Sequence, residues 1–171
     1  MRELVRQGLY VMTTHADEEA DADDFSVFDV ESAILTGTIV ERQKEAETGE
    51  WKYVISGEAV DGREMAVVAK FGTSAKCCIS LLYMRNNGGQ AHCENCGRTG
   101  VQVRPVTRSY GRGATLLVIE KVPVISCPHC GASYLTAKTL HEIARIKLHR
   151  RSMSKRRTVA VAEFVSTQQT G

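Results

Sequence analysis

Hydrophobic positions in the first half of the chain begin with a helical spacing. Ser26 and Asp29 have the three-residue separation of a capping box, which marks a helix start. Val30 and Ile34 then lie on one helical face, and Gly37 is typical of a helix end. The pattern predicts a short amphipathic helix between Ser26 and Gly37. The acidic stretch before it, residues 17–24, is polar throughout and is expected to be solvated.

After Gly37 the apolar spacing changes to that of strands. Turn-forming residues such as Asp61-Gly62 separate the apolar runs. Cys77 and Cys78 are adjacent in the last run, where free cysteines are expected to pack as small buried hydrophobes. The pattern predicts an antiparallel sheet of about four strands, over Thr38–Glu41, Lys52–Ser56, Glu64–Phe71 and Cys77–Met84.

In the second half of the chain, apolar and polar residues first alternate as in the strands of a hairpin and then follow a helical spacing. Two strand-like runs, Val101–Tyr110 and Ala114–Ile125, are joined by a glycine-rich turn. Residues 132–136 form a short strand or turn. A helix capped by Thr136 or Thr139 and reaching about His149 follows, with an apolar stripe of Leu140, Ile143, Ala144 and Leu148.

Two Cys-x-x-Cys-Gly motifs flank the hairpin. Together they supply four thiolates, Cys93, Cys96, Cys127 and Cys130, which is the ligand set of a closed tetrahedral zinc site. Two disulfides or a rubredoxin-like iron site are the competing interpretations. A catalytic zinc keeps one position open to water, whereas four thiolates leave none. The motifs therefore predict one structural Zn²⁺.

Charge is distributed unevenly along the 171 residues. Residues 1–84 have eight Lys/Arg against sixteen Asp/Glu, a balance of −8, and residues 85–171 have fourteen against four, a balance of +10. Such asymmetry indicates two units with different surfaces. We therefore predict an α+β fold with an acidic domain at 1–84, a linker at 85–91, a four-cysteine domain at 92–149 and a basic tail at 150–171.

The first unit resembles a RelE-like domain family of unknown function that is related to the MqsR toxin. The resemblance covers roughly residues 8–84 and rests on Thr14-His15-Ala16 and on the run from Asp29 to Gly37. The family usually has arginines shortly after the His-Ala pair, where this chain has Asp and Glu. The resemblance implies RNA cleavage, for which the catalytic candidates are His15, Lys70 and Tyr83. Their alternative roles are a local hydrogen-bonding residue, a solvent-facing strand residue and a core residue.

The second unit resembles the YgiT-type zinc finger of MqsA-like antitoxins. The resemblance covers roughly residues 92–146 and rests on Val122-Pro123-Val124 and on the run from Cys127 to Gly131. It implies that the four cysteines bind zinc and that the module contacts a cognate toxin. MqsA-like antitoxins continue into a helix-turn-helix domain, and the 41 residues after Cys130 are too few for one.

The chain has a basic segment after the second cysteine motif. It contains no acidic residue between its seven cations, which are Arg145, Lys147, Arg150, Arg151, Lys155, Arg156 and Arg157. They could bind RNA or DNA phosphates, dock on the acidic unit of the same or another chain, or be solvated. Residues 158–165 alternate again and could add a strand to the edge of the first sheet.

These features lead to a functional hypothesis. We expect a cytoplasmic protein without a membrane span. In it, a zinc-stabilised antitoxin-like module binds a RelE/MqsR-like domain of the same chain or of another chain. A homodimer is one possible arrangement. Fusion of the two units favours interaction or regulation over turnover. The alternatives are an active, metal-independent mRNA endoribonuclease, and a zinc-ribbon regulator that binds nucleic acid without catalysis.

Overall fold

The computed structural model describes residues 1–44, 49–71, 77–79, 92–93, 95–160 and 162, with residues 77–79 described by their backbone only. The fold is α+β, as predicted. The helices are α1 (Arg2–Arg6), α2 (Thr14–Ala22), α3 (Val27–Thr36), α4 (Ala137–Leu148) and α5 (Arg150–Met153). The strands are β1 (Val11–Thr13), β2 (Thr38–Lys44), β3 (Trp51–Glu58), β4 (Glu64–Phe71), β5 (Cys77–Ile79), β6 (Gln102–Tyr110), β7 (Leu117–Ser126) and β8 (Ser133–Thr136).

The first sheet is antiparallel, has the order β2-β3-β4-β5 and is packed under α3. The predicted capping box of α3 is confirmed, because the Ser26 backbone N–H donates to Asp29 Oδ2 at 2.7 Å. Gly57 on β3 lets this helix come close to the strand. A Cβ atom at Gly57 would lie 2.7 Å from the carbonyl carbon of Ala33 and would also collide with its oxygen.

The second sheet has the order β1-β8-β7-β6 and combines distant parts of the chain. β6 and β7 form the predicted hairpin. β8 pairs with β7 on one side and with β1 on the other, where Val11 lies opposite Thr136 and Thr13 opposite Tyr134. A strand from the N-terminal region therefore completes a sheet built from the C-terminal half.

The main hydrophobic cluster contains residues from both halves. Ile34 of α3, Leu135 of β8 and Leu140 of α4 are among its most completely buried side chains. Each such residue stabilises the fold by about 1.5–3 kcal/mol relative to an exposed position. The domain boundaries predicted from charge stay a prediction, but the residues on the two sides of the predicted linker share one core.

The acidic stretch near the N-terminus differs from its prediction. Most of it lies in α2, whose N-terminus is capped by Thr13, because Thr13 Oγ1 accepts from the Ala16 backbone N–H at 3.1 Å. Asp17 and Asp21 are only partly exposed and contact cations of β6 and α4. The prediction was wrong for these two residues, because a run of acidic residues does not show which of them cations from elsewhere in the chain will meet. The other acidic residues of the stretch, Glu18, Glu19, Asp23 and Asp24, are exposed, as predicted.

The C-terminal helix agrees with the sequence pattern. α4 begins after Thr136, whose Oγ1 accepts from the Thr139 backbone N–H at 3.2 Å. Residues 158–160 are exposed and belong to no strand of the described structure. The remainder of the predicted edge strand at 158–165 lies largely outside the described residues and stays a prediction. No helix in the described parts of the chain is long and apolar enough to cross a membrane.

Candidate metal centre and surrounding contacts

Four cysteine side chains meet at one point beside the second sheet. The Sγ atoms of Cys93, Cys96, Cys127 and Cys130 all lie within 4.8 Å of one another. The Cys93–Cys130 and Cys96–Cys127 sulfur pairs are each 3.7 Å apart. A tetrahedral ion with metal–sulfur bonds of about 2.3 Å requires sulfur separations of about 3.8 Å. The cluster therefore fits one structural metal ion, in agreement with the sequence prediction.

The two cysteine motifs fold into matching turns. In the first, the Cys93 N–H donates to the Arg98 carbonyl at 2.7 Å, and Gly97 has a φ of +68°. In the second, the Cys127 N–H donates to the Ala132 carbonyl at 2.9 Å, and Gly131 has a φ of +74°. The positive φ explains the glycine after each motif, because side-chain-bearing residues rarely adopt it.

Backbone amides favour the thiolate form at the second turn. Burial opposes ionisation of Cys127, but the N–H groups of Cys130 and His129 outweigh this effect and lower its pKa to about 6. Burial raises the pKa of Cys93 to about 12. A bound cation would reverse this effect at Cys93, since a coordinated thiol is deprotonated outright.

Two neighbouring side chains hydrogen-bond to the cysteine sulfurs. The Tyr134 hydroxyl lies 3.6 Å from Cys93 Sγ, and the Asn95 Nδ2 lies 3.8 Å from Cys130 Sγ. Burial, followed by the interaction with Cys93, raises the pKa of Tyr134, so the phenol stays protonated and can donate to a thiolate. Such contacts orient ligands and tune a metal site.

Lys70 connects the first sheet to this site. Its Nζ donates to Glu50 Oε2 at 2.9 Å and to Asn95 Oδ1 at 3.1 Å, and the residue is only 8% exposed. The expectation that Lys70 is a solvent-facing strand residue was therefore wrong. Strand alternation does point it away from α3, but on that side Asn95 of the first cysteine turn and Glu50 contact its ammonium group. Asn95 thus contacts a cysteine sulfur with one end of its amide and Lys70 with the other.

The two catalytic candidates that the structure describes, His15 and Lys70, contact different residues. His15 is exposed on α2, where its Nε2 lies 3.2 Å from Glu19 Oε1. Lys70 has the different partners just described. Tyr83 lies outside the described residues, so its role stays a prediction.

Arg108 on β6 binds the acidic helix α2. Its Nη2 donates to Asp17 Oδ2 at 2.9 Å and to the Thr14 carbonyl at 3.3 Å. The Tyr110 hydroxyl donates to the same Asp17 oxygen at 3.0 Å. Burial raises the pKa of Asp17, although Arg108, Tyr110 and Lys147 oppose the shift.

A second acidic residue one helical turn later is held in the same way. Asp21 Oδ1 accepts from Lys147 Nζ of α4, and Asp21 Oδ2 accepts from the Gly111 backbone N–H at 2.8 Å. We call these contacts, made by Asp17 and Asp21 with Arg108, Tyr110, Gly111 and Lys147, the acidic clamp. The charge asymmetry indicated docking, but the sequence identified neither the acidic residues nor Arg108.

The seven predicted cations of the basic segment have different surroundings. Lys147 is part of the acidic clamp, and Arg145 pairs with Glu142 of its own helix at 2.6 Å. Two arginines contact the hairpin: Arg150 donates to the Thr115 carbonyl at 3.2 Å, and Arg157 pairs with Glu120 at 2.9 Å. The other three make no side-chain hydrogen bond or ion pair with any residue that the structure describes; they are Arg151, Lys155 and Arg156. Nucleic-acid binding by this segment stays a prediction.

Comparison with known proteins identifies one part of the chain. Residues 12–79 match the family model described as a domain of unknown function, DUF4258. No curated protein and no solved structure matches the chain. The matched region, here called the DUF4258 segment, includes α2, α3 and the first sheet. It therefore contributes Asp17 and Asp21 to the acidic clamp and Lys70 to the contact with the cysteine turn.

Proposed function

We propose that this protein is a toxin–antitoxin-type fusion whose C-terminal half binds the DUF4258 segment and holds it inactive. In this proposal the DUF4258 segment is a RelE/MqsR-like unit. Residues 92–149 form an antitoxin-like module stabilised by one Zn²⁺. The protein acts by interaction or regulation, and turnover is suppressed in the intact chain.

The observation that carries the proposal is the acidic clamp. Asp17 and Asp21 belong to the DUF4258 segment, whereas Arg108 and Lys147 come from the hairpin and the C-terminal helix. The Arg108–Asp17 pair is largely buried and the Lys147–Asp21 pair partly so, whereas fully exposed ion pairs on a surface would contribute little. A neutralising module needs such specific contacts with the unit that it restrains.

Covalent fusion strengthens this restraint. A short connection raises the effective concentration of one unit near the other to the millimolar range. A contact of modest intrinsic affinity is then almost always formed. The pairing of β1 with β8 adds backbone hydrogen bonds to the same interface.

Zinc is the proposed ion because four soft thiolates in a closed set suit it. Cys93, Cys96, Cys127 and Cys130 would hold it, and it would fix the two cysteine turns against each other. All four positions are occupied by protein, so the ion would stabilise structure without activating water. Elemental analysis of protein purified without added metal should give one zinc per chain, and one iron per chain would identify a rubredoxin-like site instead.

Charge reversal in the full-length chain tests the restraint. The double variant Arg108→Glu/Lys147→Glu opposes both acidic residues of the clamp, and Arg104→Glu/Lys138→Glu makes the same charge change at exposed positions. We expect induction of the clamp variant to arrest bacterial growth and to degrade cellular RNA, while wild type and the control variant do neither. Circular dichroism and metal content check that each variant is folded before its effects are compared.

The other outcomes have defined meanings. A folded clamp variant that leaves growth and RNA unchanged would contradict the toxin-like role of the DUF4258 segment. RNA cleavage by the intact wild-type protein, lost in His15→Ala or Tyr83→Phe, would identify an active endoribonuclease instead.

A further inference from the structure

Strand alternation places two cations and three aromatic rings on one face of the first sheet. The register sets Arg42 opposite Tyr53 and Lys44 opposite Trp51, while Lys52 lies opposite Lys70 on the other face. Phe71 follows Lys70 and therefore returns to the face of Trp51. We call this set, Arg42, Lys44, Trp51, Tyr53 and Phe71, the aromatic face.

The aromatic face continues the core side of the sheet beyond the helix that covers it. Ile55, Val67 and Ala69 share this side and are buried under α3. Trp51 and Phe71, at the ends of β3 and β4, are 48% and 40% exposed. Ordinary core packing does not account for rings left this open, because large aromatic side chains gain stability from burial.

The three rings and two cations form two contacting groups, one of Arg42, Tyr53 and Phe71 and one of Lys44 and Trp51. Tyr53 and Phe71 meet edge to face, with ring centroids 6.0 Å apart. The Arg42 guanidinium and the Lys44 ammonium each lie 5.9 Å from a ring centroid, of Tyr53 and Trp51 respectively. The exposed surface thus has flat π-faces bordered by positive charge.

The described residues leave the charges of Arg42 and Lys44 unpaired. Neither forms an ion pair with a carboxylate among the described residues. Their acidic neighbour on the strand, Glu41, lies opposite Val54 on the other face of the sheet, where it accepts a hydrogen bond from Gln43. Among the described residues, this face of the acidic first half therefore carries the two cations and no carboxylate paired with them.

We propose that the aromatic face binds single-stranded nucleic acid, with bases stacked on Trp51 and Phe71 and phosphates next to Arg42 and Lys44. Single strands are recognised by aromatic platforms on sheet surfaces combined with cations along the backbone path. Both ingredients are present on adjacent strands, with the cations on the edge strand β2. Base pairing in a duplex would hide the base faces, so double-stranded nucleic acid should bind weakly. This site is separate from the acidic clamp and from the basic segment, and it does not depend on the proposed inhibition.

Trp51 provides a direct probe because it is the only tryptophan in the chain. Full-length protein is titrated with single-stranded oligouridylate and oligothymidylate of about 12 nucleotides, within the site sizes of stacking platforms. We expect quenching of Trp51 fluorescence together with a rise in the anisotropy of the labelled oligonucleotide. Comparison of the two titrations shows whether RNA or DNA is preferred, and a matched duplex serves as the competitor.

Variants separate stacking from charge. Phe71→Ala should weaken binding roughly 5- to 100-fold, as the loss of one stacked base does. Arg42→Ala/Lys44→Ala should reduce the slope of log affinity against log salt by about 1.4, or about 0.7 for each lost phosphate contact on a single strand. Arg104→Ala/Lys138→Ala, which removes two exposed cations elsewhere, should leave affinity and quenching close to those of wild type.

Three results would overturn the proposal. One is the absence of quenching and of an anisotropy change up to about 100 µM, the weak end of non-specific affinities. Another is binding that Phe71→Ala and Arg42→Ala/Lys44→Ala leave unchanged but Arg151→Ala/Arg156→Ala abolishes, because binding would then belong to the basic segment. The third is that the wild-type protein sediments as a dimer and binds no oligonucleotide, and that Trp51→Ala dissociates this dimer. The aromatic face would then contact a second copy of the chain.

Discussion

Arg108 Nη2 lies 2.9 Å from Asp17 Oδ2, in an ion pair between side chains 91 positions apart in the sequence. The Arg108 side chain is 9% exposed and the Asp17 side chain 12%. A buried pair of this kind is costly to break from one side only. The remaining charge keeps its desolvation penalty and loses its counter-charge. Removal of one partner of this pair should therefore lower the free energy of unfolding by a measurable amount.

Arg108→Ala should lower the free energy of unfolding by about 3–5 kcal/mol, because it leaves Asp17 charged and buried without its guanidinium. Arg104→Ala is the matched control, since Arg104 is an exposed arginine on the same strand whose side chain contacts Gln102. The control should stay within about 0.5 kcal/mol of wild type. Urea denaturation of the three proteins checks this, and equal losses in the two variants would contradict the role of the Asp17 contact.

The cost of Arg108→Ala should depend on pH. Burial raises the pKa of Asp17 above its ordinary value of 3.8, so native Asp17 holds its proton at pH values where the unfolded chain has released it. Stability associated with this group therefore falls as pH rises through that interval. Loss of the guanidinium raises the pKa further and widens the interval.

We accordingly expect the difference in melting temperature between Arg108→Ala and Arg104→Ala to be larger at about pH 8 than at about pH 5. Protonated Asp17 does not need a positive partner, which is why acid should relieve the defect. The Asp17→Asn/Arg108→Ala double variant should lose most of this pH dependence. A difference that grows towards acid would show that another group controls it.

Cys93→Ser should remove the bound metal and lower the melting temperature, because a structural site contributes its binding free energy to folding. His129→Ala changes an exposed residue inside the second cysteine motif and should retain one metal per chain. Elemental analysis and thermal denaturation, with and without a strong chelator, distinguish the two variants. If the chelator leaves the wild-type melting temperature unchanged, the four cysteines are not a metal site that supports the fold.

Asn95→Ala should weaken both the metal site and its connection to the first sheet. The variant loses the donor to Cys130 Sγ and the acceptor for Lys70 Nζ. Loss of a ligand-orienting contact typically reduces metal affinity about 10- to 100-fold. A competition titration with a chromophoric chelator measures this loss, and Thr99→Ala, in the same segment, is the control. Unchanged affinity would mean that Asn95 acts on the sheet alone.

The sequence contained the local features of the fold. The capping box from Ser26 to Asp29, the hairpin and the Thr136 cap are decided within a few residues, so patterns and spacing predict them. The metal site was also predictable, because two Cys-x-x-Cys-Gly motifs specify their own turns and need only a hairpin to meet.

Long-range partners could not be predicted in the same way. Asp17 is one of many acidic residues in its region, and only the tertiary placement of α2 brings it to Arg108. Lys70 looked solvent-facing because strand alternation does not reveal that Asn95 of a cysteine turn and Glu50 contact its side chain. β1 is only three residues long, so its periodicity could not indicate a partner more than a hundred positions away.

The pairing of β1 with β8 has a consequence for synthesis on the ribosome. Residues 11–13 emerge early, but their partners at 134–136 are translated about 120 residues later, on the order of ten seconds at typical elongation rates. During that delay β1 has no native strand to pair with, and neither the acidic clamp nor the four-cysteine cluster can be complete. A nascent chain that stalls between the two strands would therefore present the DUF4258 segment without its contacts to β6, β8 and α4.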